Sequence, residues 1–247
     1  LFRSAGKDHV LAHLAAIRFS VVDGSLVALT ADGIRAARAV LPVTQLGLTP
    51  PPTADMLVSA YRVREMRYVI ADAISVGGDV TLSAGPSWFG ARSQNARWSC
   101  RLIDGKFPDF EAIVERYLGP TLEQKSVTLD RDDALKALKL NSIFQTRVGE
   151  GNVHNPVSIE ARTGTISLRS RSSDGDEVAQ HLPGMHDDDF DARCTATYLI
   201  DALGAFDCDE VTLTVCYLNG LNVAVIVNDA TVEPSPLGTY QVAATIQ

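Results

Sequence analysis

The sequence predicts an α+β protein made of two related domains. Three observations carry this expectation. Strand-period segments outnumber helical ones, each half runs hairpin, helix and strand in the same order, and two segments recur at domain-sized offsets. Gly24-Ser-Leu-Val-Ala-Leu29 aligns with Gly164-Thr-Ile-Ser-Leu-Arg169 at an offset of 140 residues, each as the second arm of a hairpin. Asp79-Val-Thr-Leu82 aligns with Glu210-Val-Thr-Leu213 at 131 residues, each as the first strand after a helix. Offsets of that size indicate a repeated domain and not a short solenoid period. Gly119-Pro120-Thr121 is the natural joint, giving domains over 1–120 and 121–247.

In the first half, Ile17–Val22 and Ser25–Thr30 read as strands joined at Asp23-Gly24, a dipeptide suited to a tight hairpin turn. The run Pro50-Pro51-Pro52 interrupts regular structure. Val63, Met66, Ile70 and Ile74 then fall at helical spacing and predict one buried helix face. Asp79–Ala84 and Ala96–Leu102 return to strand. In the second half, Ser126–Leu129 reads as a strand and Arg131–Leu140 as a helix with Asp130 at its N-cap. Val157–Ala161 and Thr165–Arg171 predict a hairpin around Thr163-Gly164. Thr195–Phe206 predicts a helix with Tyr198, Leu199, Ala202 and Leu203 facing the core. Glu210–Leu213 and Val223–Val227 complete the sheet.

At 247 residues, 46% apolar and 21% charged, the chain has the make-up of a folded protein able to bury two cores. No stretch approaches the roughly 18 uninterrupted apolar residues of a membrane helix, so no membrane association is expected. The start at Leu1, with no signal-peptide core behind it, is read as the cut edge of a longer sequence. Cys100, Cys194, Cys208 and Cys216 show no CxxC spacing, which predicts free thiols in a reducing cytoplasm. The net charge of −8 is uneven. Residues 1–121 hold thirteen basic and eleven acidic side chains, whereas residues 122–247 hold nine and nineteen. Contact with nucleic acid is therefore expected only through a local basic face.

Several segments with chemical potential read more simply. His181 and His186 beside Asp187, Asp188 and Asp189 lack a third fixed ligand and read as an exposed acidic loop, with no metal site expected. Gly175, between Asp174 and Asp176, lacks the bidentate Glu of a calcium loop. Gly77-Gly78 and Ser83-Ala84-Gly85 read as turns, not a phosphate cradle. Trp88 and Trp98 flank a hairpin and read as strand packing. No catalytic residue and no cofactor are expected.

One further segment, Arg101-Leu-Ile-Asp-Gly-Lys-Phe-Pro-Asp-Phe110, resembles the signature closing the middle domain of the bacterial DNA polymerase III beta subunit, the sliding clamp. Ile17-Arg-Phe19, Gly24 and Leu29-Thr-Ala-Asp-Gly-Ile-Arg35 resemble that family's stretch ending Ala-Thr-Asp-Gly-His-Arg-Leu. Met56-Leu-Val-Ser-Ala60 resembles the strand entering its helix, with Ser59 in place of proline. Tyr198-Leu-Ile-Asp-Ala-Leu203 and Asp209-Glu-Val-Thr-Leu213 resemble its final helix and strand. The resemblance runs over nearly the whole chain, in family order, but covers only the second and third of three clamp domains. The helix that should open the first of these two is missing, since Asp8-His-Val-Leu11 already lies close to the first strand.

The resemblance implies tandem clamp domains, each with two helices packed on antiparallel sheets. The implied protein is a non-catalytic, ring-forming processivity factor that holds DNA polymerase on duplex DNA without sequence preference. The ring is a homo-oligomer, closed either as a dimer with a further domain upstream or as a trimer of two-domain chains. Helices lining the pore would present Arg62, Arg64, Arg67, Lys136 and Lys139 to DNA. Arg64 with Arg67, and Lys136 with Lys139, are each three residues apart and share a helix flank. An apolar cleft between the domains would take peptides from polymerase, clamp loader and repair proteins. Carried over by position, its lining comprises Leu14, Gly33, Ile34, Arg35, Ala36, Pro108, Ile113, Tyr198, Val223 and Val242. The chain departs from the family at Ile34 (His), Ala36 (Leu), Thr195 (Asn) and Ala243-Ala-Thr-Ile-Gln247 (Met-Pro-Met-Arg-Leu). Lost anchors, each worth about 1.5–3 kcal/mol when buried, weaken such a cleft. The alternative is a divergent paralogue, in which the clamp-like body is the dimerisation or sensing module of a transcriptional regulator with a DNA-binding head upstream.

Overall fold

The computed structural model describes residues 14–32, 34–42, 55–144, 146–148, 152–186, 188–232 and 239–244. Gly33, the Pro50–Pro52 run, Asp187, Asp8–Leu11 and the last three residues lie outside the described residues. The chain divides into two compact units, residues 1–110 and 111–247, so the division falls ahead of Gly119-Pro120-Thr121.

In the first unit, strands β1 (Ala16–Val22), β2 (Ser25–Ala31), β3 (Arg35–Pro42) and β4 (Met56–Ser59) form an antiparallel sheet ordered β3-β2-β1-β4. The β1–β2 turn forms because Asp23 and Gly24 both adopt positive φ, 47° and 75°, which matches the twist of a two-residue hairpin. Helix α1 (Ala60–Val63) runs through a 3-10 turn (Arg64–Met66) into helix α2 (Arg67–Val76), which Gly77 ends at φ 63°. Strands β5 (Thr81–Gly85), β6 (Trp88–Arg92) and β7 (Arg97–Arg101) form a second sheet in sequence order. Ile17, Phe19, Leu26, Met56, Val58 and Phe89 make the core. Phe19 stacks on Phe89 at 4.9 Å and joins the two sheets.

The helix face differs from the one its periodicity predicts. Val63 and Met66 pack on the core, but Ile70 and Ile74 are 40% and 75% exposed, and Val69 and Ala73 are buried instead. The 3-10 turn advances each residue by about 120° where an α-helix advances about 100°. Three such residues rotate the following turns by about 60°, which moves the inward positions one residue earlier.

The second unit begins within α3 (Phe110–Leu118) and continues through β8 (Glu123–Asp130) into α4 (Arg131–Asn141). The Asp130 carboxylate caps that helix, accepting from the Asp133 amide at 2.8 Å. A short ribbon, β9 (Thr146–Val148) and β10 (Asn152–His154), precedes β11 (Pro156–Arg162), β12 (Thr165–Arg171) and β13 (Glu177–Pro183). Next come β14 (Met185–His186), β15 (Phe190–Thr195) and α5 (Ala196–Leu203). Strands β16 (Glu210–Leu218), β17 (Leu221–Asp229) and β18 (Tyr240–Ala244) end the unit. One sheet is ordered β13-β12-β11-β15 and the other β14-β8-β16-β17-β18. Helices α4 and α5 pack together, burying Leu135, Leu138, Leu199 and Leu203 against Val127, Leu129 and Leu213.

The two units repeat one another down to single hydrogen bonds. Arg18 pairs with Leu29 as Ser158 pairs with Arg169, and Ala16 pairs with Ser59 as Pro156 pairs with Thr195. The Thr30 hydroxyl donates to the Ala16 carbonyl at 3.0 Å, and the Ser170 hydroxyl to the Pro156 carbonyl at 2.9 Å. The same 140-residue offset relates every one of these positions except the β4 and β15 residues, which lie 136 apart.

Candidate nucleic-acid interface

The basic positions expected to face DNA lie on α1, the 3-10 turn, α2 and α4, and all five are exposed. They differ in how far they are already engaged. Arg62 forms a 2.9 Å ion pair with Glu65, and Lys136 a 2.8 Å pair with Asp133. That hydrogen bond is the main reason the Lys136 ammonium titrates above its ordinary range. Arg67 donates to the Tyr68 hydroxyl at 2.9 Å and lies over its ring at 4.9 Å, which lowers the tyrosine pKa. The side chains of Arg64 and Lys139 are exposed, as are the other three. Both ion pairs are exposed and screened by solvent, so a phosphate can compete for either cation.

Tertiary structure adds residues that helical spacing does not reveal. A groove of about 580 Å³ beside Arg64 and Arg67 is lined also by Tyr61, Tyr68, Arg97 and Trp98. The β6–β7 turn is held against α2 by Asp72, which accepts from the Ser93 hydroxyl at 2.6 Å and the Asn95 amide at 3.1 Å. Those bonds hold the Asp72 carboxyl below its ordinary range. The Trp98 indole donates to Glu65 at 3.1 Å, so the Glu65 carboxylate serves both Arg62 and the sheet. Arg97 lies 30 residues beyond Arg67 in sequence, and no local pattern connects them.

The positions carried over for peptide binding are placed unit by unit. In the first, Leu14 is half-buried just before β1, and Arg35 and Ala36 open β3 at the same end of the sheet. Asp32 shapes this turn. One carboxylate oxygen accepts from the Ile34 and Arg35 amides at 3.0 and 2.7 Å, and the other takes the Arg35 guanidinium at 2.9 and 2.7 Å. Arg35 is thus committed to a local clasp, Ile34 is 49% exposed, and Ala36 is buried at 3%. Pro108 is half-buried in the segment Arg101–Phe110, which straps the unit together. The Ile103 amide donates to the Leu57 carbonyl at 2.8 Å, and Phe107 is buried beneath the Arg18 guanidinium at 5.7 Å.

In the second unit, Ile113 lies exposed on α3 and Tyr198 packs half-buried on the core from α5. Val223 occupies the register break opposite Cys216 and Tyr217, as the extra residue of a β-bulge. Val242 lies on β18, opposite Ile226, and α5 contacts that strand. Gly33 lies outside the described residues.

His181 and His186 make hydrogen bonds within the fold. His186 accepts from the Gly164 amide at 3.1 Å through Nε2, while Nδ1 lies 3.1 Å from the Asp188 carbonyl. His181 Nδ1 is 2.8 Å from the Ser167 hydroxyl. Among the described residues no three His, Cys, Asp or Glu side chains gather as a metal site, and no helix is long and apolar enough to cross a membrane.

No family model matches the sequence. The beta sliding clamps of two Streptococcus pneumoniae strains are each 24% identical over 162 residues, 65% of this chain and 40% of theirs. Solved structures agree over a longer span. The DNA polymerase III beta subunit of Pseudomonas aeruginosa superposes with a TM-score of 0.80 at 18% identity, over 99% of this chain and 61% of that one. The Thermotoga maritima beta subunit gives 0.77 at 17%, over 100% and 61%. The C. crescentus beta sliding clamp gives 0.78 at 21%, over 99% and 61%. The chain spans two-fifths of the curated relatives' length, and nothing in these comparisons favours the regulator alternative. Sequence and fold agree: this chain has the α+β tandem-domain fold of the bacterial DNA polymerase III beta sliding clamps and resembles them in sequence.

Proposed function

We propose that this chain works in DNA replication as a sliding-clamp subunit, a non-catalytic processivity factor that encircles duplex DNA and tethers a polymerase to it. The observation that supports this most is the repeated clamp fold carrying exposed cations on its helices, Arg64 and Arg67 in one unit and Lys136 and Lys139 in the other. Weakly held, solvent-facing charge suits a protein that must slide, because a diffuse and screened attraction retains DNA without gripping one register.

In this reading the two units correspond to the middle and final domains of a clamp, and the ring is a cytoplasmic homo-oligomer. Polymerase, clamp loader and repair proteins are its peptide-bearing partners, engaging Leu14, Ile34, Pro108, Ile113, Tyr198 and Val242. Burial of the small Ala36 and the clasp on Arg35 argue that this surface grips such peptides less firmly than a clamp with larger anchors would. The test is retention on nicked circular duplex, followed by gel filtration before and after the circle is linearised. Encirclement predicts retention on the circle and loss from its ends once it is cut. Equal retention on both forms would sink the proposal.

A further inference from the structure

Trp88 and Trp98 belong to opposite faces of the β5–β6–β7 sheet. Trp98 packs against the core of the first unit, whereas Trp88 is 43% exposed on the outer face. The strand register sets three rows across that outer face: Gly85–Trp88–Arg101, Ser83–Gly90–Ser99 and Thr81–Arg92–Arg97. A groove of about 670 Å³ is bounded by Trp88 and runs over the second and third rows.

The Trp88 indole fills the space above two glycines. A Cβ at Gly85 would collide with its Nε1, Cδ1 and Cε2 atoms, and one at Gly90 would lie 3.2 Å from Cζ3. Backed by bare backbone, the ring turns its other side to solvent, where a planar group can stack. Arg92 and Arg97 are direct cross-strand partners on this face, and like charges so placed destabilise a sheet. Neither they nor Arg101, opposite Trp88, makes an ion pair or side-chain hydrogen bond among the described residues. Asp79 also lines the groove without pairing with them. A phosphate between the two guanidiniums would relieve their repulsion.

The spread of the cations selects the occupant. Arg97 and Arg101 stand at the two ends of β7, about 13 Å apart at roughly 3.3 Å per residue. A single phosphate cannot reach both ends, but a chain of phosphates carrying stackable rings can. Bases in a duplex already stack on one another, so a single strand is the form that offers a free face to Trp88. An acidic peptide would satisfy the arginines and leave the indole unused.

We propose that this outer face binds single-stranded DNA, with a base stacked on Trp88 and phosphates held by the Arg92–Arg97 pair and by Arg101. The Ser83–Gly90–Ser99 row forms the floor beneath the strand. Arg97 also lines the groove beside Arg64 and Arg67, so the two surfaces meet at one residue. The choice of DNA over RNA rests on the proposed function; the stacking site itself needs neither encirclement nor the helix cations.

Fluorescence-anisotropy titration with a labelled oligothymidylate about twelve residues long tests the site. Trp88→Leu should weaken binding at least about fivefold, the fold-change of one lost stacking contact, and Trp88→Phe should keep most of it. Arg92→Gln, an exposed substitution outside the core, should weaken binding and flatten its salt dependence, and it tests the site should Trp88→Leu not fold. Both variants should bind duplex as the unaltered protein does, which separates failure here from failure of the helix surface. An abasic phosphate chain of the same length should bind more weakly than oligothymidylate. Equal binding of the abasic chain would overturn the proposal, as would oligothymidylate affinity untouched by Trp88→Leu and Arg92→Gln. Full competition by an acidic peptide, or tighter binding of oligouridylate, would overturn it as well.

Discussion

Charge reversal on the first unit's helix isolates the electrostatic part of the proposed function. In the double substitution Arg64→Glu with Arg67→Glu, two exposed cations become anions without touching the core, since neither side chain belongs to the buried cluster around Phe19 and Phe89. Each cation that neutralises a phosphate contributes about 0.9 to the slope of log K against log salt for duplex DNA. Losing two lowers that slope by about 1.8. Between 50 and 200 mM salt, a fourfold span, the unaltered protein should therefore lose about twelve times more affinity than the variant. A salt series of fluorescence-anisotropy titrations with labelled duplex reads the slope directly. Asp133→Asn is the companion test. It removes the anion held 2.8 Å from Lys136 while the backbone amide of residue 133 keeps its bond to the Asp130 cap. Its slope should steepen by up to about 0.9. Identical slopes for the double variant and the unaltered protein would remove these helices from any DNA contact.

Three further outcomes are expected. Gly184→Ala would place a Cβ 2.5 Å from Ile166 and 3.0 Å from Leu129, both core side chains, and should cost about 1–3 kcal/mol in urea unfolding; an unchanged midpoint would show that this part of the core yields. Asp72 should govern part of the acid limb of stability. Its folded pKa is depressed below 3.8, so its contribution is full above the unfolded pKa and is lost as pH falls through the folded one. The unfolding midpoints of Asp72→Asn and the unaltered protein should accordingly converge on acidification below about pH 4, and a constant gap would contradict that. Cys194 and Cys216 are fully buried, and burial pushes both thiols up to about 12. Both should resist alkylation at pH 8 in the native protein and react in urea, while Cys100 and Cys208 react first; rapid native labelling of Cys194 would refute the packing around β15.

Local chemistry was enough to place much of the fold. The hairpins at Asp23-Gly24 and Thr163-Gly164 follow from Asp23, Gly24 and Gly164, which accept positive φ readily, and α4 from the Asp130 cap, because such preferences act within a few residues. The family segments were legible for a comparable reason: the Asp32 to Arg35 stretch forms its own clasp, and Arg101–Phe110 is a continuous strap. Strands β3, β6, β13 and β15 were not singled out from the sequence. Alternation in Arg35–Pro42 and Trp88–Arg92 is weak, and long-range pairing is what defines them.

By itself, the sequence determined that two copies of one plan follow each other, and which helices carry the basic residues. Tertiary structure alone decided which side of α2 is buried, because a 3-10 turn inside the helix shifts its phase and periodicity assumes a constant one. It also decided that Arg97 and Trp98 join Arg64 and Arg67 in one groove, through a turn docked on Asp72. These contacts join residues distant along the chain, whereas local sequence patterns report only near neighbours.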